Sequence, residues 1–120
     1  MKSLHGVRVL VIEDETPIAL MIEDMLQDMG CIVAGSAATV NEALGCVEAG
    51  GFDFALLDVN LAGASAEAVA DALVRSGIPF AFASGYGRPG VPERLQARPV
   101  LGKPFNSAEL RKILCDNLAD

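Results

Sequence analysis

Apolar and polar positions along the 120-residue chain change period several times. Val7 to Ile12 (VRVLVI) is a β-branched run of strand length that stops at the acidic triplet Glu13, Asp14, Glu15, and it predicts a central buried strand. Thr16 followed by Pro17 is a helix-start signal, and Ile18, Met21, Ile22, Met25, Leu26 and Met29 then recur at i, i+3, i+4 spacing until Gly30. Ile32 to Gly35 predicts a second strand. Thr39 and Glu42 form a capping box for a helix that turns Val40, Ala43, Leu44 and Val47 inward and closes at Gly50 and Gly51. Phe54 to Leu57 is a third apolar strand that ends at Asp58, and Ser65 to Ser76 is an Ala-rich helix stopped by Gly77. Ile78 to Ala83 (IPFAFA) is a fourth strand ending in Ser84 and Gly85. Residues 85 to 98 contain Gly85, Gly87, Pro89, Gly90 and Pro92, too many breakers for a full helix, so only a short one over Glu93 to Ala97 is predicted. Val100 and Leu101 make a short fifth strand, and Asn106 with Glu109 caps a last helix using Leu110, Ile113, Leu114 and Leu118.

Strands alternating with helices require parallel pairing and right-handed crossovers. The expected fold is therefore α/β, with ligands bound beyond the carboxyl ends of the strands. The length fits one domain, residues 1–120 with a core of about 7–118, and 52% apolar residues suffice for one core. Only 5% of residues are aromatic and none is Trp, which suits helices on a buried sheet better than a sandwich.

Charge narrows the function. A net charge of −7 and a pI near 4.5 argue against the chain gripping nucleic acid, which takes clustered Lys and Arg. Cys31, Cys46 and Cys115 are odd in number and lack CxxC spacing, so they read as buried free thiols rather than a disulfide framework or zinc site. No apolar leader segment follows Met1, and no stretch nears the ~18 uninterrupted apolar residues of a membrane span. A cytoplasmic protein with no membrane insertion is expected, and no linker or effector domain is expected after Asp120.

Glu13 and Asp14, Asp58, Ser84 and Lys103 each fall just after a predicted strand, so a parallel sheet gathers them at one edge. Three carboxylates in one cleft repel one another unless a cation is bound, and an oxygen-only set suits Mg²⁺ better than zinc. An Asp carboxylate is a nucleophile toward phosphorus when a metal neutralises the incoming oxygens and an ammonium or hydroxyl contacts them. Asp58, Lys103 and Ser84 match the nucleophile, the ammonium and the hydroxyl.

From Val7 to Leu118 this constellation resembles the CheY-like receiver domain of two-component response regulators. The resemblance implies a flavodoxin-like (βα)5 three-layer sandwich whose parallel five-stranded sheet has the order 2-1-3-4-5, with a short or irregular fourth helix. It implies that Asp58 accepts a phosphoryl group from a histidine kinase or histidine phosphotransfer protein. Asp14 and Asp58 would ligate Mg²⁺ directly, Glu13 through water, and the backbone carbonyl of Asn60 would complete the protein ligands. Ser84 would follow the phosphoryl group on switching, and Lys103, followed by a cis Pro104, would pair with it. Most receivers carry Tyr or Phe three residues before the lysine, whereas here Val100 stands there, so the usual aromatic rotamer switch is absent. Phe82-Ala83-Ser84-Gly85-Tyr86, preceded by Pro79-Phe80, resembles the subfamily with Phe-Ala-Thr-Gly followed by an aromatic, with Ser in place of Thr. Single-domain regulators and stress-response receivers of alphaproteobacterial type share that motif and an altered fourth helix.

Several residues admit plainer readings. The Met21, Met25, Met29 stripe is read as core packing, and His5 as an exposed tail residue. Arg88, Arg94 and Arg98 are either a basic patch beside the site or solvated loop charges. Tyr86 either overhangs the phosphoryl group and excludes water or packs outward against a partner. The leading function is a phosphorylation switch that acts through an unidentified downstream protein, with no separate substrate turnover; a homodimer is compatible with it. A Mg²⁺-dependent aspartate-nucleophile phosphatase is the enzyme alternative, but it needs a second Asp where Asn60 stands and leaves little room for a substrate cap. The third alternative, a phosphorylation-independent docking module, ranks last because both Asp58 and Lys103 are present.

Overall fold

A computed structural model describes residues 3–85, 91–95 and 98–118. The chain runs β1 (Arg8–Ile12), α1 (Thr16–Asp28), β2 (Ile32–Ala37), α2 (Val40–Ala49), β3 (Phe54–Asp58), β4 (Asn60–Leu61), β5 (Ala64–Ser65), α3 (Glu67–Ser76), β6 (Phe80–Ser84), a 3₁₀ turn (Glu93–Leu95), β7 (Val100–Gly102) and α4 (Ser107–Asn117). Five strands form one parallel sheet in the order β2-β1-β3-β6-β7, which is the 2-1-3-4-5 order of a flavodoxin-like fold.

Both faces of this sheet are covered, which explains why its central strands are apolar throughout rather than alternating. Strand alternation sends Val9 and Val11, Phe54 and Leu56, Ala81 and Ala83 to one face, where they pack with Ile22 and Leu26 of α1 and Leu110 and Leu114 of α4. Leu10 and Ile12, Ala55 and Leu57, Phe80 and Phe82 point the other way, against Ala43 and Val47 of α2 and Val69, Ala70 and Leu73 of α3. The result is three layers. A small residue on one face of β6 stands beside a large one on the other, so the Phe80 and Phe82 rings meet edge to face, 5.5 Å apart, on the α3 side.

Departures from the sequence reading are local. Met21, expected in the core, is 43% exposed beside Leu20, because the buried stripe of α1 is narrower than its apolar stripe and runs through Ala19, Ile22 and Leu26. The helix predicted from Ser65 begins instead at Glu67, because residues 60–65 first form an antiparallel hairpin, Asn60 pairing with Ser65 and Leu61 with Ala64. Among its described residues the fourth crossover forms a 3₁₀ turn, in keeping with the expected short, irregular helix. Gln96 and Ala97 of that predicted helix lie outside the described residues.

The crossover is pinned to α3. Val91 and Leu95 are buried in the same core as Val69 and Leu73, while Arg94 bonds Glu67 at 2.8 Å and Asp71 at 2.9 and 3.1 Å. Arg98 lies over the Phe80 ring at 5.5 Å. Of the arginines considered as a basic patch, Arg94 and Arg98 are thus engaged with the protein's own surface, and Arg88 lies outside the described residues. The three thiols are free, Cys31 buried and Cys46 and Cys115 half-buried.

Asn106 caps α4 directly after the lysine loop: its side chain accepts from the Glu109 N–H at 2.8 Å, and the Glu109 carboxylate accepts from the Asn106 N–H at 3.1 Å. Asn106→Ala is expected to cost about 1 kcal/mol in urea unfolding, the usual worth of an N-cap.

Candidate functional site

Sheet register decides which side chains meet. Ile12 pairs with Leu57 of β3, Asp58 with Ala83 of β6, and Ser84 with Gly102 of β7. The next residues along β1 and β7 are Glu13 and Lys103, so one parallel edge collects Glu13, Asp14, Asp58, Ser84 and Lys103, the set picked out from the sequence. Carboxylate oxygens of Glu13, Asp14 and Asp58 lie within 4.8 Å of one another.

Lys103 reaches into this cluster from beyond β7. Its Nζ donates to Glu13 Oε1 at 2.6 Å and to Asp58 Oδ2 at 3.2 Å. Its backbone N–H donates to the Ser84 carbonyl at 2.9 Å, so the lysine loop and the end of β6 are tied together. The Lys103–Pro104 peptide is cis. Ser84 is buried at the edge of β6, and Val100 is half-buried opposite Phe82. Asn60 is exposed, at the start of the hairpin and two residues past Asp58. Tyr86 lies outside the described residues, as does any reading of its ring.

The three acids have different surroundings. Glu13 is buried, and burial pushes its carboxyl up to about 7, against the Lys103 hydrogen bond that favours the charged form and with the neighbouring Asp58 adding to the rise. Its second oxygen accepts from the Glu15 N–H at 3.2 Å. Asp14 is half-buried, and the Ala62 backbone N–H, 3.0 Å from its Oδ2, holds it below the ordinary carboxylate range. Asp58 accepts from Lys103 at 3.2 Å on one oxygen and from the Asn60 N–H at 3.5 Å on the other, with the Glu13 carboxyl beside it. Burial disfavours charge on Lys103, yet the bond to Glu13 and the nearness of Asp58 outweigh it and hold the ammonium above its ordinary value.

Ala62 is the functional group that the residue pattern did not reveal. Its side chain is inert, and it acts through a backbone N–H presented by a two-residue turn with φ 50° at Ala62 and φ 84° at Gly63. Such turns favour Asn-Gly or Gly-Gly at the two central positions. Gly63 was the available signal, and Ala in the first position hid it.

A family model for the response regulator receiver domain matches residues 9–115. The chain belongs to this family. Among solved structures, the receiver SdrG from Sphingomonas melonis Fr1 is 43% identical, with 96% of this chain and 97% of that chain covered and a TM-score of 0.82. The receiver domain of PhyR from Erythrobacter litoralis is 32% identical, with 96% and 92% covered and a TM-score of 0.78. PhyR from Brucella abortus is 34% identical over 94% of this chain but 48% of its own, with a TM-score of 0.78, so this receiver spans about half the length of that relative. Among curated proteins no match is found. Receivers are signalling modules, and the strand-end cluster lies where this receiver's topology gathers polar side chains. No helix among the described residues is long and apolar enough to cross a membrane.

Proposed function

We propose that this receiver is a phosphoryl-accepting switch whose nucleophile is Asp58. The observation that carries the reading is the cluster itself: three carboxylates with oxygens within 4.8 Å and one ammonium bridging two of them. An all-oxygen donor set around so much negative charge fits a hard divalent cation. Asp14 and Asp58, with Glu13 and the Asn60 carbonyl, would hold Mg²⁺. Bound there, Mg²⁺ supplies charge neutralisation for the oxygens of an incoming phosphoryl group.

This chain's residues divide the remaining work. An Asp58 carboxylate oxygen attacks phosphorus of a phosphohistidine; the P–N bond breaks, an aspartyl phosphate forms, and the departing imidazole takes up a proton. Lys103, already 3.2 Å from Asp58, exchanges part of its bond to Glu13 for the new phosphoryl oxygens. Ser84 supplies a hydroxyl from the end of β6. Because Ser84 and Lys103 are joined through the backbone bond at 2.9 Å, a shift of either moves both β6 and β7 at their carboxyl ends. Added charge of roughly −1.5 to −2 on Asp58 is thus transmitted to the crossover that follows Ser84.

The relatives support the same reading. SdrG also has a structure in a BeF₃-activated conformation, 43% identical to this chain with a TM-score of 0.79, and BeF₃⁻ mimics a phosphoryl group on a carboxylate. PhyR from Bartonella quintana is described as an anti-anti-sigma factor, so the proposed partners are a phosphohistidine donor and a downstream regulatory protein. Incubation with acetyl phosphate, followed by intact-mass measurement, tests the chemistry. The expected result is gain of one phosphoryl group that requires Mg²⁺ and does not occur when a chelator is present from the start. No gain from acetyl phosphate or from a phosphohistidine protein overturns the proposal in favour of a docking module.

A further inference from the structure

The hairpin between β3 and α3 is minimal, its two strands having two residues each. It is nevertheless well anchored. Leu61 is buried in the α2 and α3 core, and the Ala66 N–H donates to the Val59 carbonyl at 3.0 Å, closing the loop at its base. Ala62 is the non-glycine residue with positive φ among the described residues, a conformation that L-residues avoid. Its N–H is spent on Asp14, 48 positions earlier in the chain.

We propose that the Ala62 backbone N–H is a positioning group for the cation site, and that the hairpin carrying it binds Asp14 and Asp58 into one preorganised unit. The inference rests on the Mg²⁺ reading above. Asp14 is a half-buried acid at the edge of the cluster, where its side chain is otherwise free to turn toward solvent. The Ala62 N–H opposes that swing by holding Oδ2, which leaves Oδ1 for a cation. Asp58 begins the same segment, four residues before the turn, so the two ligands cannot drift apart unless the hairpin opens. Preorganisation of this kind lowers the cost of binding rather than adding a contact to the ion.

Gly63 gives access to the turn without touching the acids. A Cβ added there meets nothing within 4 Å, so the strain of a substitution comes from the backbone conformation and not from a clash at Cβ. Val resists the φ of 84°, whereas Asn tolerates it. In the ¹⁵N-labelled 120-residue chain titrated with MgCl₂ and followed by amide shifts, Gly63→Val is expected to weaken Mg²⁺ binding by about tenfold, the lower end of what loss of a ligand-orienting partner does to metal affinity. Gly63→Asn should restore binding to within about twofold of the unsubstituted chain. As a second measurement, Asp14→Ala should move the Ala62 amide proton upfield further than its neighbours, whether or not Gly63→Val folds. Equal affinities for the Gly63→Val and unsubstituted proteins, or an unmoved Ala62 amide in Asp14→Ala, would overturn the positioning role while leaving the Mg²⁺ reading standing. Absence of any saturable Mg²⁺ response in the unsubstituted protein would overturn both.

Discussion

Asp58→Asn is expected to abolish phosphoryl gain from acetyl phosphate, while Asp14→Asn slows it and recovers when Mg²⁺ is raised. The three acids sit within 4.8 Å of one another, so proximity alone does not choose the nucleophile. Their contacts do. Both oxygens of Glu13 are occupied, by Lys103 at 2.6 Å and by the Glu15 N–H at 3.2 Å, and its side chain is 3% exposed. Asp14 has one oxygen held at 3.0 Å by Ala62. Asp58 alone among them combines a half-buried position with nitrogen donors no nearer than 3.2 Å, which leaves its lone pairs the most available to an incoming phosphorus. It is also the acid whose neighbouring ammonium, Lys103, is placed to follow charge onto a new phosphoryl oxygen. The amide introduced by Asp58→Asn keeps the shape of the side chain and removes the nucleophilic anion. Intact mass after a fixed incubation distinguishes the possibilities, and an Asp58→Asn protein phosphorylated at the unsubstituted rate would transfer the role to Asp14.

The legible parts of this molecule are those in which a residue type carries its own signal. Five apolar runs, each ending in a polar residue, specify a covered parallel sheet, and parallel pairing then brings Glu13, Asp14, Asp58, Ser84 and Lys103 to one edge without further information. Pattern failed where backbone geometry or tertiary shielding decided the outcome. Met21 has helical spacing with Ile18 and Met25, yet it lies outside the stripe of α1 that the sheet covers, and 43% of it stays in solvent. Two-residue strands are too short to show a period, so Asn60 to Ser65 read as loop and helix start instead of as a hairpin. Arg94 is polar in any reading, and only the fold reveals that Glu67 and Asp71, one turn apart on α3, both face it.

Lys103→Met is expected to produce the largest change in stability, and one that depends on pH. The ammonium bridges Glu13 and Asp58, whose side chains are 3% and 13% exposed while its own is 18% exposed. Removing it leaves a buried carboxylate without its partner, a change worth roughly 3–5 kcal/mol for fully buried pairs; partial exposure of Lys103 places the expectation at the lower end, about 3 kcal/mol at high pH. The sign follows from Glu13. Its folded value near 7 lies above the unfolded value of 4.5, so its stabilising contribution is complete below about 4.5 and is lost as pH rises to about 7. Lys103 is the larger of the two influences that lower the Glu13 value, the other being the Glu15 N–H, and without it the folded carboxyl titrates higher still. Below about pH 6 Glu13 holds its proton in both folded proteins, and the difference between them is confined to packing and the longer Asp58 contact. Above 7 the unsubstituted chain ionises Glu13 beside an ammonium, whereas the variant continues to lose stability at up to about 1.4 kcal/mol per pH unit until its own raised value is passed. The Lys103 ammonium, held above its ordinary 10.5, does not titrate in this window. Urea unfolding of both proteins from pH 5.5 to 9, without divalent cations, should therefore give free energies that lie close together in acid and diverge above pH 7. A constant gap across the range would mean that Lys103 contributes only its methylenes, and the ion pair at 2.6 Å would lose its place as the organising contact of the site.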